Sequence, residues 1–297
     1  MRSFWALTIS ALMTIGSAAV ADACANCKCG DPTLTLVGVE KPFAGRLRLS
    51  TDLSFRTEEH GDIRLGPRSS ASDQRADLGL TFAPTQRLLL GATLPIVRRQ
   101  LVQPNLAQEK VTGLANPELS AKAILWSDKP LRARHISGLT ARLELPMSPE
   151  RLDARGQGLS LDAQLDSGAW VSGLGLFYSF FRAPWSAHLS AEHRWSSVGW
   201  ERHQPGASLS SSVSLQYQIA TSLGVGLGIE GTLSARDEIE GAPVEGSSGA
   251  HLRTSPSLLW SPMTDVIVHT TLRVPVVNTS RDEETGVDLI AGVALDL

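Results

Sequence analysis

Aromatic residues are scarce, at 5% of 297 positions, and charged residues make up only 19%. The charged share lies below the roughly 25% of ordinary soluble domains, so the surface is not that of a typical cytosolic enzyme. The 27 Lys and Arg set against 30 Asp and Glu leave a formal charge of -3. That balance lacks the basic footprint of a nucleic-acid binder, and no nucleic-acid partner is expected. After the N-terminus there is no apolar run of the ~20 residues that a membrane-crossing helix needs, and the mean hydropathy of -0.01 agrees. No Gly-x-Ser-x-Gly elbow, no His-Glu-x-x-His and no phosphate-cradling Gly-rich loop before a helix occurs. Cysteine is rare, with 3 in the chain, all between Cys24 and Cys29.

What is present begins with a targeting pattern. Met1 and Arg2 precede an apolar stretch from Phe4 to Ile15, and the small residues Gly16 to Ala21 end in an A-x-A site at Ala19-Val20-Ala21. Residues 1–21 are therefore expected to be a secretory signal, too short for a retained span and without the polar face of a surface helix. A cut after Ala23 would instead make Cys24 the first residue, open to acylation. Residues 22–44 read as a leader and 45–297 as the folded domain.

From Arg46 onward the chain keeps returning to strict alternation, the mark of strands with one apolar and one polar side. Val287, Leu289, Ala291, Val293, Leu295 and Leu297 share one phase, with Asp288 and Asp296 in the other. Leu47, Leu49, Leu53 and Phe55 are likewise opposed by Arg46, Arg48, Asp52 and Arg56. Continued along the chain, this predicts segments near 45–56, 75–83, 86–97, 117–127, 135–145, 168–181, 185–196, 207–219, 221–235, 250–260, 265–275 and 286–297. The links between them alternate short and long: Ala83–Thr85, Ser127–Arg134, Arg182–Pro184, Ala220 and Ser261–Thr264 are short, whereas 57–74, 98–116, 146–167, 197–206, 236–249 and 276–285 are long. A soluble sandwich has no reason to lengthen every second loop, but a membrane barrel with short periplasmic turns and long outer loops does. Phe82, Trp126, Phe180, Tyr217 and Trp260 each end a strand before a short turn, where a barrel carries its aromatic girdle. The expected fold is all-β: an antiparallel transmembrane β-barrel of about twelve strands in the bacterial outer membrane, contacting lipid and lipopolysaccharide. Around Trp126 the phase is mixed, which a bulge or a misplaced strand end would explain.

With the apolar phase toward lipid, the polar phase lines the lumen. Its candidates are Arg46, Arg48, Asp52, Arg56, Glu192, Arg194, Glu230, His269 and Arg273, joined by Arg75, Asp77, Arg142, Glu144, His188, Gln216, Gln218 and Asp288. Both signs occur, which suits either passage of a polar solute or interlocked ion pairs. Twelve strands fall between small filled barrels and open porins, so a narrow pore or a lumen closed by a segment is expected, with a small molecule as solute.

Cys24, Cys27 and Cys29 permit three readings: a disulfide with a spare thiol, capture of a soft metal such as Cu(I) or Zn, or a lipidated or partner-linked cysteine. A periplasmic redox or metal-handling partner goes with the second and third. The run Cys27 to Thr35, followed by Gly38 to Arg48, resembles the start of cysteine-led outer-membrane transporters. Thr112 to Leu119 resembles the Gly-x-Gly-Asp-x-x-Leu element of channels related to the MetA pathway of phenol degradation, departing from it at Ala115-Asn116, where that family usually shows Gly-Asp. The resemblance implies a transmembrane barrel that passes small molecules, aromatic or hydrophobic ones among them, and the missing catalytic motifs lead to the expectation of no enzyme. Two further classes stand beside it: a barrel-type lipid hydrolase built on His135-Ile136-Ser137 or His188-Leu189-Ser190, and an outer-membrane scaffold acting through the cysteine leader.

Overall fold

A computed structural model describes residues 44–60, 68–129, 133–152, 155–280 and 283–297. The signal, Cys24, Cys27, Cys29 and all but the last residue of the leader fall outside them. The strands are β1 (Leu47–His60), β2 (Ser69–Thr85), β3 (Leu88–Val102), β4 (Gln108–Leu114), β5 (Glu118–Ser127), β6 (His135–Glu144), β7 (Val171–Arg182), β8 (Trp185–Ser196), β9 (His203–Gln204), β10 (Ser208–Ala220), β11 (Leu223–Ser234), β12 (Glu238–Ile239), β13 (Ala242–Pro243), β14 (Gly249–Met263), β15 (Val266–Asn278) and β16 (Glu283–Asp296). Twelve of them close an antiparallel barrel, because β1 pairs with β2 on one edge and with β16 on the other. Strand β4 extends the same sheet beside β3, while β9, β12 and β13 form a separate small sheet within the long loops.

Closure removes every free edge along the barrel, which a bilayer demands of any strand that crosses it. The alternation then sorts side chains by face. Leu49, Leu53, Phe55, Leu78, Leu80, Leu90, Leu94 and their counterparts on every other barrel strand are exposed on the outside and make the apolar band. The expected aromatic positions sit at the short-turn end. Phe82, Trp126, Tyr217 and Trp260 are exposed there, and Trp185 joins them by packing edge-on to Tyr217 with ring centroids 4.7 Å apart. At the β5–β6 turn, Asp128 Oδ1 accepts hydrogen bonds from the Arg134 and His135 amides. The His135 amide bond is the chief cause holding its carboxyl below the usual carboxylate range.

The mixed phase at Trp126 is a β-bulge. The β5–β6 register shifts between Ile124 and Trp126, so that Leu125 and Trp126 both face outward while Lys122 and Ile124 both face inward. Gly138 stands opposite, where a Cβ would run into the Ala123 carbonyl and the Phe177 ring. A bulge needs such room.

Two segments differ from the expectation. The loop expected over 98–116 is mostly strand: β3 continues to Val102, and its outer part pairs with β4 while its inner part pairs with β5. The β4–β5 path breaks only at Ala115-Asn116-Pro117, where Ala115 N still donates to the Pro95 carbonyl at 3.0 Å and Pro117 has no amide to offer. The loop expected over 57–74 is shortened in the same way by β1 and β2. Apolar-outside alternation misses these stretches because their inward residues Ala71, Val97, Leu101 and Val111 are themselves apolar and buried.

Candidate functional site: the lumen

Those inward apolar residues are covered by the connection between β6 and β7, which turns into the barrel from the long-loop end. Leu159, Ala163 and Leu165 pack on Ala71, Val97, Leu101 and Val111. Gln164 stitches the segment to itself, accepting from Arg151 N at 2.8 Å and donating to the carbonyls of Arg151 and Leu159. Arg99 fastens it to the wall: Nη1 donates to Gln164 O at 2.9 Å, while Nε and Nη2 grip Asp73. Asn116 supplies a second fastening. Its amide nitrogen donates to Asp166 Oδ2 and its Oδ1 accepts from Ser148 N, both at 3.0 Å, while Nδ2 donates to Glu144 Oε1. An aspartate there could not make that last bond. Of the narrow pore and the segment-closed lumen expected from strand number, the structure shows the segment around Leu159, Ala163 and Leu165 packed on the inner wall.

All nine lumen candidates face inward, and the ring closure brings most of them into ion pairs. Asp296 accepts from Arg48 at 2.7 and 2.9 Å and also binds Arg46. Arg56 lies 3.1 Å from Glu58 and 3.3 Å from Asp73. Arg273 reaches Asp288 at 3.5 Å and Glu230 at 3.6 Å. Asp52 on β1 meets His269 on β15 at 3.1 Å, crossing over β16 at Gly292, whose Cβ position would collide with both. On the opposite side Arg142 on β6 reaches Glu192 on β8 at 3.0 Å across β7, where Gly173 and Gly175 leave the space. Arg194 completes that cluster with Glu118 and Glu192.

Serines and glycines line a third stretch. Ser208, Ser210, Ser212 and Ser214 on β10 share the inward phase, with Gly224, Gly226 and Gly228 beside them on β11. Between these walls lies a cavity of about 710 Å³ bounded by charged, hydroxyl and a few apolar side chains, among them Arg48, Asp52, Arg99, Glu192, Ser212 and Leu165. Toward the short-turn end the interior fills with two apolar clusters, Ile124, Ala133, Ile136 and Phe177 on one side and Leu259, Ile267 and Ala294 on the other.

Neither His-x-Ser pair forms a hydrolytic site. His135 bonds Tyr178 Oη at 2.6 Å on the outward face near the short-turn rim. His188 and Ser190 both face the lumen, but His188 Nδ1 takes Ser179 Oγ as its partner at 2.9 Å, and Ser190 pairs with Ser212 at 2.7 Å. Ser179 is fully buried, beyond reach of a lipid ester. Among the described residues no group of three or more His, Cys, Asp or Glu is arranged to hold a metal ion.

The sequence reading missed Asp73 and Arg99, which lie in stretches expected to be loop, and it did not single out Lys122 and Phe177 at the base of the cavity. Only the alternation carried through β2 and β3 could have found the first two, and the bulge hides the inward phase of Lys122.

The chain is similar in structure to an outer membrane channel from Pseudomonas putida F1, with 16% identity, a TM-score of 0.69, and coverage of 87% of this chain and 98% of that one. It is also similar to the beta domain of the Bordetella autotransporter BrkA, at 10% identity and TM-score 0.52, covering 85% of this chain and 100% of that domain. No family model matches the chain, and no curated protein matches it by sequence. What these likenesses establish is the fold, a closed transmembrane β-barrel with the lumen inside it.

Proposed function

We propose that the chain is an outer-membrane channel passing small solutes through a restricted lumen. The observation that carries this reading is the cavity of about 710 Å³ lined by polar groups inside a wall whose outer face is apolar. A volume in the range of roughly 300–1,000 Å³ suits a molecule of one or two rings and excludes a macromolecule. The Pseudomonas putida protein of the same fold is an outer membrane channel, which supports the assignment. Phe177, Leu89 and Leu165 add apolar surface to the lining, so a solute with an aromatic or aliphatic body is accommodated beside the charged groups. In this orientation the short turns and both chain ends face the periplasm, the apolar band meets outer-membrane lipid and lipopolysaccharide, and Cys24, Cys27 and Cys29 are available to a soft metal or a redox partner. Native mass spectrometry of the mature chain reads the state of those thiols.

Planar-bilayer conductance and liposome swelling with phenolic and sugar solutes test the channel. The wild type is expected to conduct weakly, and Arg99→Ala, which removes the guanidinium that ties the Gln164 carbonyl of the inserted segment to Asp73 on the wall, to conduct several-fold more. Absence of conductance and of swelling in both proteins would overturn the reading.

A further inference from the structure

Resting on the channel reading, we propose that the floor of the cavity is a binding subsite for a small monocarboxylate with an apolar body, its carboxylate held by Lys122 and His188 and its body against Leu89 and Phe177. The register sets these residues together. Leu89 on β3 pairs directly with Lys122 on β5, and Ser179, one inward step beyond Phe177 on β7, pairs with His188 on β8. All four line the same cavity. Lys122 Nζ stands 4.4 Å from the centroid of the Phe177 ring, and the His188 ring stacks at 6.3 Å from it. The floor therefore offers an ammonium and an imidazole beside aromatic and aliphatic surface.

His188 is the feature that points to a ligand. It is 1% exposed, its Nδ1 is engaged by Ser179 Oγ, and its Nε2 is buried without a hydrogen-bond partner. A buried polar atom left unsatisfied is unfavourable, which marks Nε2 as a position that a bound group can complete. In the tautomer that the subsite requires, the Ser179 hydroxyl donates to Nδ1 and the imidazole proton sits on Nε2, a donor for the carboxylate. Such a donor next to an ammonium selects an acceptor of negative charge. Leu89 and Phe177 cannot hydrate an inorganic anion but can cover a hydrocarbon body, which selects the amphipathic carboxylate over chloride or nitrate.

Calorimetric titration of the folded barrel in detergent tests the subsite with benzoate as the probe and cyclohexanol and nitrate as controls. Benzoate is expected to bind, cyclohexanol and nitrate to bind at least about tenfold more weakly, and Lys122→Met and His188→Phe each to weaken benzoate by about tenfold or more, as removal of a charge-assisted hydrogen bond does. No benzoate binding to the wild type, nitrate binding as tight as benzoate, or unchanged binding in both variants would overturn the proposal. Should either variant fail to fold, crystals of the wild type soaked in 4-bromobenzoate decide: bromine signal beside Phe177 supports the subsite, and its absence there overturns it. Since the channel reading is judged by conductance and this one by binding, the two fail separately.

Discussion

Two arcs of the lumen wall use opposite chemistry. Along β16, β1, β2 and β3 many inward positions are charged and paired: Arg46 and Arg48 with Asp296, Arg56 and Arg99 with Asp73, Arg75 with Asp77. Along β10 and the first half of β11 serines and glycines predominate, beside Gln216 and Gln218 and ahead of Glu230, and a niche of about 40 Å³ is left against Gly226 and Gly228. The charged arc is held in place because a guanidinium or carboxylate out of water is tolerable only with its counter-ion in place. Hydroxyls lose little on burial when paired with one another, so the second arc can stay thin. One side of the lumen is thus held by a ladder of ion pairs, and the main cavity lies between that ladder and Ser210, Ser212 and Glu230 of the other side.

The sharpest way to break this contrast is Asp296→Ala. Arg48 and Asp296 are both nearly inaccessible, and removing the carboxylate leaves two guanidiniums on one wall without it. A loss of about 3–5 kcal/mol is expected, seen as a lower urea midpoint for the folded barrel in lipid vesicles. A change below 1 kcal/mol would show that water reaches this end of the lumen freely.

A comparison of glycines on the two arcs comes next in size. In Gly292→Ala the new methyl meets Asp52 and His269 and must push their ion pair apart, an overpacking loss of about 1–3 kcal/mol. In Gly228→Ala the methyl meets only Ser255, at 3.4 Å from its Cβ, an ordinary contact. That substitution should be neutral or stabilise by up to about 1 kcal/mol through the unfolded chain. Equal effects at the two positions, in the same urea titration, would erase the distinction between the arcs.

The smallest effect is expected from Ser212→Ala. It removes one hydroxyl pair, with Ser190 at 2.7 Å, and should lower stability by about 0.5–1.5 kcal/mol with single-channel conductance unchanged. A large loss there would mean that the serine arc is as tightly interlocked as the charged one.

Much of the site was legible before any coordinates. The nine lumen candidates, from Arg46 to Arg273, were read from phase alone, and the structure places Arg48, Asp52, Arg56, Glu192, Arg194, Glu230 and Arg273 at the main cavity, since in a barrel with one lipid face the pleat turns polar side chains inward. Asp73 and Arg99 were not legible, since around them the inward residues Ala71, Val97 and Leu101 are apolar and blur the alternation. They are apolar because a loop more than fifty residues further along the chain covers them, and no local window contains that loop. Lys122 was obscured by a single bulged residue, Leu125, which reverses the phase of everything read from the strand end.

Taken alone, the sequence determined the class of fold, the face of nearly every strand residue, the alternation of short and long connections and the belt of aromatics at one rim. All of these follow from a period of two and from the composition of turns, which are local properties. Only the tertiary structure decided who meets whom inside. Arg46 and Arg48 find Asp296 at separations of 250 and 248 residues because the barrel closes first strand onto last. Asp52 reaches His269 because Gly292 lies between them, and the segment around Leu159, Ala163 and Leu165 enters the lumen because these residues have an apolar wall to bury. Alternation specifies a side chain's face, whereas its partner is set by closure and by the packing of distant segments, which no local pattern encodes.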